Sequence, residues 1–318
     1  MPCLNPMPAL RHQTGAVTIK HRRDSDSLFQ SEIELPCGRC GECRAARIRS
    51  WAIRGFHESQ TNLRMTRRGK VPNNCFVTLT YDQEHHPKDG SLKLEDWQNF
   101  MKALRRRYPG RKISYLACGE YGPKFGRCHM HACLFGVDFH EDKIRCENTT
   151  AKKSSVEWTS KALSDTWKRG TATLGPLTFA TAAYTAGYVL KKQTSDEHVR
   201  DNAVYGQDAQ PLTLRKQEFN TMSKGSRKGR MGLGGEWIKK YWSDVYPKDS
   251  VEVNGMSFRP PPYYDKYLKE THPEVHDQVL EQRKQFVEKR GLSNERQIRA
   301  RRQIFLDRRR EYQQRGDL

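Results

Sequence analysis

Residues 113–137 read ISYLACGEYGPKFGRCHMHACLFGV, two β-prone runs on either side of a turn that carries Gly122 and Gly126. Strands are expected over 112–120 and 128–137, and the short turn between them makes an antiparallel hairpin. Side chains alternate across a strand, so His129 and His131 point to one face and Met130 to the other. The hairpin brings Glu120 beside the two histidines. One carboxylate and two imidazoles form a mixed oxygen and nitrogen donor set for a divalent cation. The plain alternative is a pair of ordinary histidines on a half-buried strand.

Outward from the hairpin, Asn74 to Tyr81 (NCFVTLTY) is β-branched and aromatic and reads as another strand. His85 and His86 follow in a loop beside Pro87, where they read as surface or DNA-facing residues. Trp97, Phe100, Met101 and Leu104 fall at helical spacing in a helix from about Leu94 to Tyr108, and Arg105 to Arg107 make its end basic. Val156, Leu163 and Trp167 mark a modest helix, and Thr171 to Leu174 a strand. Thr178 caps a helix over Phe179 to Lys192. Gly187 inside that helix costs about 1 kcal/mol relative to Ala.

Towards the N-terminus, a basic helix is expected from about Arg44 to Met65, after a polar, irregular stretch over 1–35. Towards the C-terminus, Trp237, Tyr241 and Trp242 give a short aromatic helix, and Pro260 to Pro262 a break. Thr271-His-Pro-Glu274 has the capping-box pattern and opens a charged helical tail. The organisation expected is an N-terminal cysteine module with its basic helix (1–70), a core (71–195), a basic Gly-rich and aromatic extension (196–265) and the tail (266–318). Gly229 to Gly235 lacks the Gly-Lys-Ser/Thr ending of a phosphate loop, and no Walker-type motif occurs.

Tyr184-Thr-Ala-Gly-Tyr188-Val-Leu-Lys191-Lys192 places two tyrosines on one helix face. A tyrosine hydroxyl is a poor nucleophile, with a pKa of about 10. It becomes useful where a metal activates a phosphate and a nearby cation favours phenolate. Attack on DNA would leave a 5′ phosphotyrosine and a free 3′ hydroxyl, and the covalent link would let rejoining proceed without ATP. Two tyrosines allow one to hold the first end while the other attacks a new junction. Lys191 lies three residues after Tyr188, on the adjoining face of the helix, placed to stabilise phenolate or contact phosphate. The alternative places both tyrosines in the core of an amphipathic helix.

The composition suits a nucleic-acid partner. The chain has 318 residues, with 57 Lys and Arg against 37 Asp and Glu, a formal net charge of +20. Neutralising phosphates releases counterions, so such a chain seeks polyanions. Lys124, Arg127, Lys191 and Lys192 are candidates for phosphate contacts, and the aromatic and basic run 219–242 for stacking on single-stranded DNA. A non-catalytic DNA-binding or packaging protein would share this charge. No stretch reaches the roughly 18 apolar residues of a membrane span, and no secretory segment opens the chain, so a cytoplasmic location is expected. Nine cysteines do not form a disulfide pattern. Cys37, Cys40 and Cys43 with Cys3 supply four thiolates, a set suited to structural Zn²⁺. An iron–sulfur cluster or an unliganded or redox-active thiol group are the alternatives.

These motifs resemble the HUH endonuclease superfamily, in which two histidines flank a hydrophobic residue. His129-Met130-His131 fits that motif, Glu120 its third ligand, Phe76 to Tyr81 its first motif strand, and Tyr184 and Tyr188 the two-tyrosine rolling-circle initiators. Cys3, the Pro36-Cys37-x-x-Cys40-x-x-Cys43 segment and Trp237 to Pro247 are similar to the initiators of microviruses, particularly gokushoviruses. Two positions depart from the family: Cys128 stands where proline is common, and Gly187 where many relatives have a basic residue, so Tyr184 lacks the Lys that Tyr188 has and Tyr188 is expected to act first. The resemblance covers about residues 1–265 and implies an α+β palm with a central antiparallel sheet and helices on its faces. It further implies Mg²⁺ or Mn²⁺ at Glu120, His129 and His131, nicking of a single-stranded-DNA phage origin in the bacterial host cytoplasm, and a host helicase and polymerase as partners. A two-tyrosine transposase or plasmid initiator of the same superfamily would use the same chemistry.

Overall fold

The computed structural model describes residues 3–12, 16–19, 29–122, 126–146, 156–192, 203–205, 211–214, 216, 218–225, 231–290 and 295–314. Where an irregular N-terminal stretch is expected, three strands form an antiparallel sheet in the order β2-β1-β3: β1 (Met7–His12), β2 (Val17–Ile19) and β3 (Phe29–Leu35). The alternation of Phe29, Ile33 and Leu35 with Gln30, Glu32 and Glu34 is written in β3. Its partner β1 is six residues long and carries Pro8, which hides the period.

Helix α1 (Gly41–Thr61) follows and buries Ala52, Ile53, Gly55, His57 and Glu58. It stops four residues earlier than the apolar spacing suggests, because Leu63 and Met65 belong to a hairpin, β4 (Leu63–Thr66) and β5 (Gly69–Pro72). Gly69 has a φ of +108°, which a residue with a Cβ would adopt only with strain. The elements that follow are β6 (Asn74–Tyr81), α2 (Leu94–Arg107), β7 (Ser114–Tyr121), β8 (Cys128–Phe135), β9 (Lys143–Arg145), β10 (Trp158–Ser160), α3 (Lys161–Trp167), β11 (Gly170–Gly175) and α4 (Phe179–Lys192). The modest helix expected from Val156 is therefore a strand followed by a helix. Ser160 divides them: its backbone is extended and its hydroxyl accepts from the Leu163 N–H at 3.1 Å as the N-cap of α3. Strands β12 (Ala203–Tyr205), β13 (Pro211–Leu214) and β14 (Phe219–Met222) come next.

Seven strands make one antiparallel sheet in the order β14-β7-β8-β6-β11-β10-β9. Its two faces are packed differently. On one face, Trp97, Phe100, Met101 and Leu104 of α2 and Leu163 and Trp167 of α3 cover Val77, Leu79, Met130, Ala132 and Leu134. Each large apolar side chain buried here contributes about 1.5–3 kcal/mol. On the other face, α1 and α4 lie over Leu116, Cys133 and Phe135 through small residues, Ala52, Ala182 and Ala186. A Cβ added to Gly55 would stand 3.5 Å from the Cβ of Ala182, so this layer is thin. Gly187 is buried, and Ile48 is 3.7 Å from where its Cβ would be. That spacing leaves room for an alanine, and nothing in the packing explains the glycine.

The remaining elements are α5 (Gly235–Val245), the hairpin β15 (Val251–Val253) and β16 (Met256–Phe258), α6 (Pro262–Thr271), α7 (Pro273–Arg290) and α8 (Glu295–Gln314). Thr271 is the last residue of α6, and its hydroxyl meets His272 Nδ1 at 2.8 Å, so it closes one helix where a capping box would have it open the next. Two compact units are distinguished. The first comprises Met1–Arg47, Tyr246–Asp249 and Leu268–Leu318, the second Ile48–Val245 and Ser250–Tyr267. Within the first, the Phe305 ring of α8 occupies the space that a Cβ at Gly41 would need, and Arg302 donates to Leu4 O and Asn5 Oδ1. Among the described residues no helix is long and apolar enough to cross a membrane.

Candidate active site

Register assembles the site. In the ladder between β7 and β8, Glu120 faces His129 and Cys118 faces His131; between β6 and β8, Thr78 faces His131 and Thr80 faces His129. Residues directly opposite one another share a face. Glu120, both histidines and both threonines therefore lie on the thin face of the sheet, beneath α1 and α4. Glu120 is buried, with 2% of its surface exposed.

His131 is held on three sides. Its Nε2 lies 2.9 Å from Glu120 Oε1, its Nδ1 lies 3.0 Å from Thr78 Oγ1, and the Phe76 ring stacks on it at 5.6 Å. In the tautomer with the proton on Nε2, the ring donates to the carboxylate and Nδ1 accepts from the threonine hydroxyl. The second oxygen of Glu120, Oε2, is buried and has no hydrogen-bond partner among the described residues. A buried carboxylate oxygen without a donor costs about 1–3 kcal/mol or more.

His129 is half-buried, with its ring centroid 6.0 Å from that of His131. Burial pushes its pKa down; neighbouring His131 and Arg127 add to this and Glu120 opposes it. Burial therefore favours the neutral ring, whose lone pair can serve a ligand. Gly122 makes room for it, since a Cβ there would stand 2.7 Å from His129 Nε2. The turn is closed by Gly122 N–H to Arg127 O and Gly126 N–H to Gly122 O, both at 2.9 Å.

Helix α4 supplies the tyrosine. Thr178 Oγ1 accepts from Thr181 N–H at 3.1 Å, which starts the helix where the sequence places it. Tyr184 donates to Glu120 Oε1 at 3.2 Å, and its ring meets His131 edge-on at 5.3 Å. It is 42% exposed, so its hydroxyl is within reach of a ligand from solvent. Tyr188 lies one turn further along the backbone of α4, and its side chain, with those of Lys191 and Lys192, is outside the described residues, as is Lys124. Arg127 is exposed and donates to Tyr81 O at 2.9 Å. In the run 219–242, Trp237 is occupied: it stacks on His57 at 3.5 Å and donates to Gln60 at 2.8 Å.

The sequence puts Phe76 and Thr78 on the motif strand and Gly122 in the turn, but it does not tell which histidine each one touches. Thr78 and Thr80 alternate visibly in their strand, but only the register tells which histidine each one meets.

The four cysteines form a second donor group. Among the described residues, the sulfurs of Cys3, Cys37, Cys40 and Cys43 all lie within 4.8 Å of one another, a closeness that the Glu120, His129 and His131 trio does not reach. Cys3 Sγ is 3.4 Å from Cys37 Sγ and 3.7 Å from Cys40 Sγ. Backbone N–H groups of Leu4, Asn5, Cys37 and Cys40 donate to these sulfurs at 3.3–3.4 Å. Burial raises the Cys40 thiol, but amide donors at Cys43 and Leu4 and the neighbouring thiols outweigh it and bring it down to about 6. Burial and the neighbouring thiols push Cys43 up to about 12. Such a group can hold a metal ion. Cys75, Cys118, Cys128 and Cys133 are buried core thiols.

Comparison with known proteins identifies the family. Residues 74–193 match the family described as Replication-associated protein ORF2/G2P, a span that contains Glu120, both histidines and both tyrosines. The chain is 30% identical to Replication-associated protein VP4 of Bdellovibrio phage phiMH2K, over 86% of this chain and 79% of that one. It is 29% identical to Replication-associated protein ORF2 of Spiroplasma virus 4, over 92% of this chain and 88% of the relative. Replication-associated protein ORF4 of Chlamydia phage 1 is 27% identical over 76% of this chain and 55% of its own length. No solved structure matches. With the similarity running almost end to end and the matched family centred on the sheet that carries the site, this chain belongs to the replication-associated proteins of microvirus-like phages.

Proposed function

We propose that the chain initiates rolling-circle replication of a circular single-stranded-DNA phage by nicking one strand at the origin. The observation that carries this is the convergence of Tyr184, Glu120 and His131 on one sheet face, with a hydroxyl 3.2 Å from a buried carboxylate. In the nicking step, Tyr184 Oη forms a bond to phosphorus, the bond to the 3′ oxygen breaks, the phenol proton is lost and the 3′ oxygen takes one up. The products are a 5′-phosphotyrosine and a free 3′ hydroxyl for a host polymerase. Tyr188 Oη would then attack a second junction, and the 3′ hydroxyl so freed would attack the Tyr184 phosphotyrosine, forming the circular phosphodiester and releasing the Tyr184 phenol. The expectation that Tyr188 acts first rests on Lys191; the contact between Tyr184 and Glu120 supports the opposite order. The antiparallel sheet with helices on both faces is compatible with an HUH palm.

The residues fit a divalent cation. Among the described residues Glu120 Oε2 is buried without a donor, and burial favours the neutral form of His129. Glu120, His129 and His131 would hold Mg²⁺ or Mn²⁺, which when bound polarises the phosphate and stabilises the departing oxygen. Thr78 can donate to or accept from His131 Nδ1, so it orients the ring in either tautomer. Lys124, Arg127 and Lys192 would contact phosphates. The absence of a Walker motif from the sequence assigns unwinding to a host helicase, and the site of action is the host cell.

The four cysteines fit structural Zn²⁺. Tetrahedral Zn–S bonds of about 2.3 Å place sulfurs about 3.8 Å apart, close to the 3.7 Å between Cys3 and Cys40. Metal analysis and the visible spectrum of a Co²⁺-substituted sample distinguish zinc from iron–sulfur.

The test of nicking is a labelled single-stranded origin oligonucleotide incubated with wild type, Tyr184→Phe, Tyr188→Phe and the double variant, with Mn²⁺ and after EDTA. A metal-dependent covalent adduct that the double variant cannot form is the expected result. Origin binding without any adduct would favour a non-catalytic DNA-binding protein.

A further inference from the structure

The hairpin β4–β5 has no place in the nicking chemistry, yet its surface is unusual. Residues 63–72 contain four cationic side chains, Arg64, Arg67, Arg68 and Lys70, and no acidic one. Arg64 is anchored to buried Asp138 at 3.4 Å. Arg67, Arg68 and Lys70 are exposed around a turn pinned by Thr66, whose hydroxyl donates to Gly69 O at 2.7 Å and accepts from Arg68 N–H at 3.2 Å. The outward face pairs Leu63 with Pro72 and Met65 with Lys70, and leaves Leu63 44% and Met65 71% exposed.

That face runs into a cavity of about 590 Å³, walled by Phe56, Leu63, Pro72, Trp158 and Leu177 and floored by Gly175. Lys143 overhangs the Trp158 ring at 5.6 Å. Its partner Asp138 also pairs with Arg64, so two cations meet one carboxylate here. The cavity lies at the end of the sheet and takes walls from both faces: Trp158 pairs with Leu174 on the α2/α3 face, and Gly175 and Asn74 lie on the face that carries the site. Gly175 pairs with Phe76, whose ring stacks on His131. From Asn74 in the cavity wall to Thr78 beside His131 is about 13 Å of strand.

We infer that this hairpin and cavity bind single-stranded DNA beside the cleavage point, the basic tip taking phosphates and the cavity taking one unstacked base against Trp158. An aromatic plane under an ammonium group, with cations at the rim, matches a base and its phosphate. The inference rests on the proposed action on DNA and adds where the strand runs and which pocket reads it.

The test compares the full-length chain binding two single-stranded polymers of about twenty units, a thymidine homopolymer and an abasic polymer of equal charge. Two variants probe the cavity. Trp158→Ala removes the platform. Gly175→Leu fills the space, with Val156 O, at 3.8 Å, as the neighbour within 4 Å of its Cβ. Each should weaken thymidine-polymer binding about tenfold and leave the abasic polymer unchanged, which also shows that the variant is folded. Arg67→Ala with Arg68→Ala should weaken both polymers and flatten the salt dependence by about one unit of slope for each phosphate left unneutralised. Unchanged thymidine binding in both cavity variants would overturn the inference. If the wild type still forms the tyrosine adduct in that case, the nicking proposal stands alone; if it binds neither polymer, both fall.

Discussion

Gly122 and Thr78 show how single residues set this site without carrying its chemistry. Gly122 lies against the His129 imidazole, where a Cβ would stand 2.7 Å from Nε2. Gly122→Ala should displace that ring and weaken Mn²⁺ binding about 10–100-fold, as disturbing the support of a ligand does at metal sites. Titration calorimetry with Mn²⁺ measures this, and an unchanged affinity would argue that His129 is not a ligand. A second buried histidine works in the opposite sense, for stability. His57 is 1% exposed, hydrogen-bonded to the Tyr264 hydroxyl at 2.8 Å and stacked on Trp237, and burial pushes its pKa down to about 3. An unfolded chain takes up that proton below about 6.5, whereas the folded one does not. Stability therefore falls as pH drops from about 6.5 towards 3, by at most about 1.4 kcal/mol per pH unit from this group. Urea melts between neutral pH and pH about 5 should show a shallower slope in His57→Gln; an identical slope would assign the acid sensitivity elsewhere.

At the scale of elements, the site depends on how the helices begin and how closely they lie on the sheet. Helix α3 starts only because Ser160 leaves the strand β10 in extended geometry and caps Leu163; its hydroxyl also donates to Asp142 at 2.6 Å. Ser160→Ala should cost about 1–2 kcal/mol, read as a shift in the urea midpoint with an unchanged slope. A shift below a few tenths would mean that Asp142, which accepts from Ala162 N–H at 2.7 Å, caps the helix alone. On the opposite face, the small residues Ala182 and Ala186 let α4 approach closely enough for Tyr184 to reach Glu120. This is why a helix rich in alanine carries the tyrosine pair: larger residues would lift the hydroxyl off the site.

At the scale of the whole molecule, the net charge of +20 belongs to the chain as a whole, whereas the cysteine group belongs to one unit. Cys3, Cys37, Cys40 and Cys43 lie in the unit that also contains α7 and α8, so a strong chelator should open that unit first. Limited proteolysis should then cut within 1–47 and 268–318 before it cuts the large sheet; uniform digestion would mean that the thiols hold no metal. Much of this protein was written locally. The strand Asn74–Tyr81, the strands around the Glu120 turn, the α2 helix and the Thr178-capped helix α4 were legible because each has a strong period of its own and a clear terminator. The grouping of the candidate site was legible too, since His129, His131 and Glu120 are only eleven residues apart at most and fall on neighbouring strands. The small N-terminal sheet, the strand β10 before α3 and the β4–β5 hairpin were not, because short strands gain their stability from partners distant in sequence and not from their own pattern. The meeting of Tyr184 with Glu120, the support of His131 by Thr78 and Phe76, and the cavity at Trp158 were settled by tertiary structure alone. Sequence spacing determines which face a side chain takes, while the register and the thickness of the packed layers determine what it meets there.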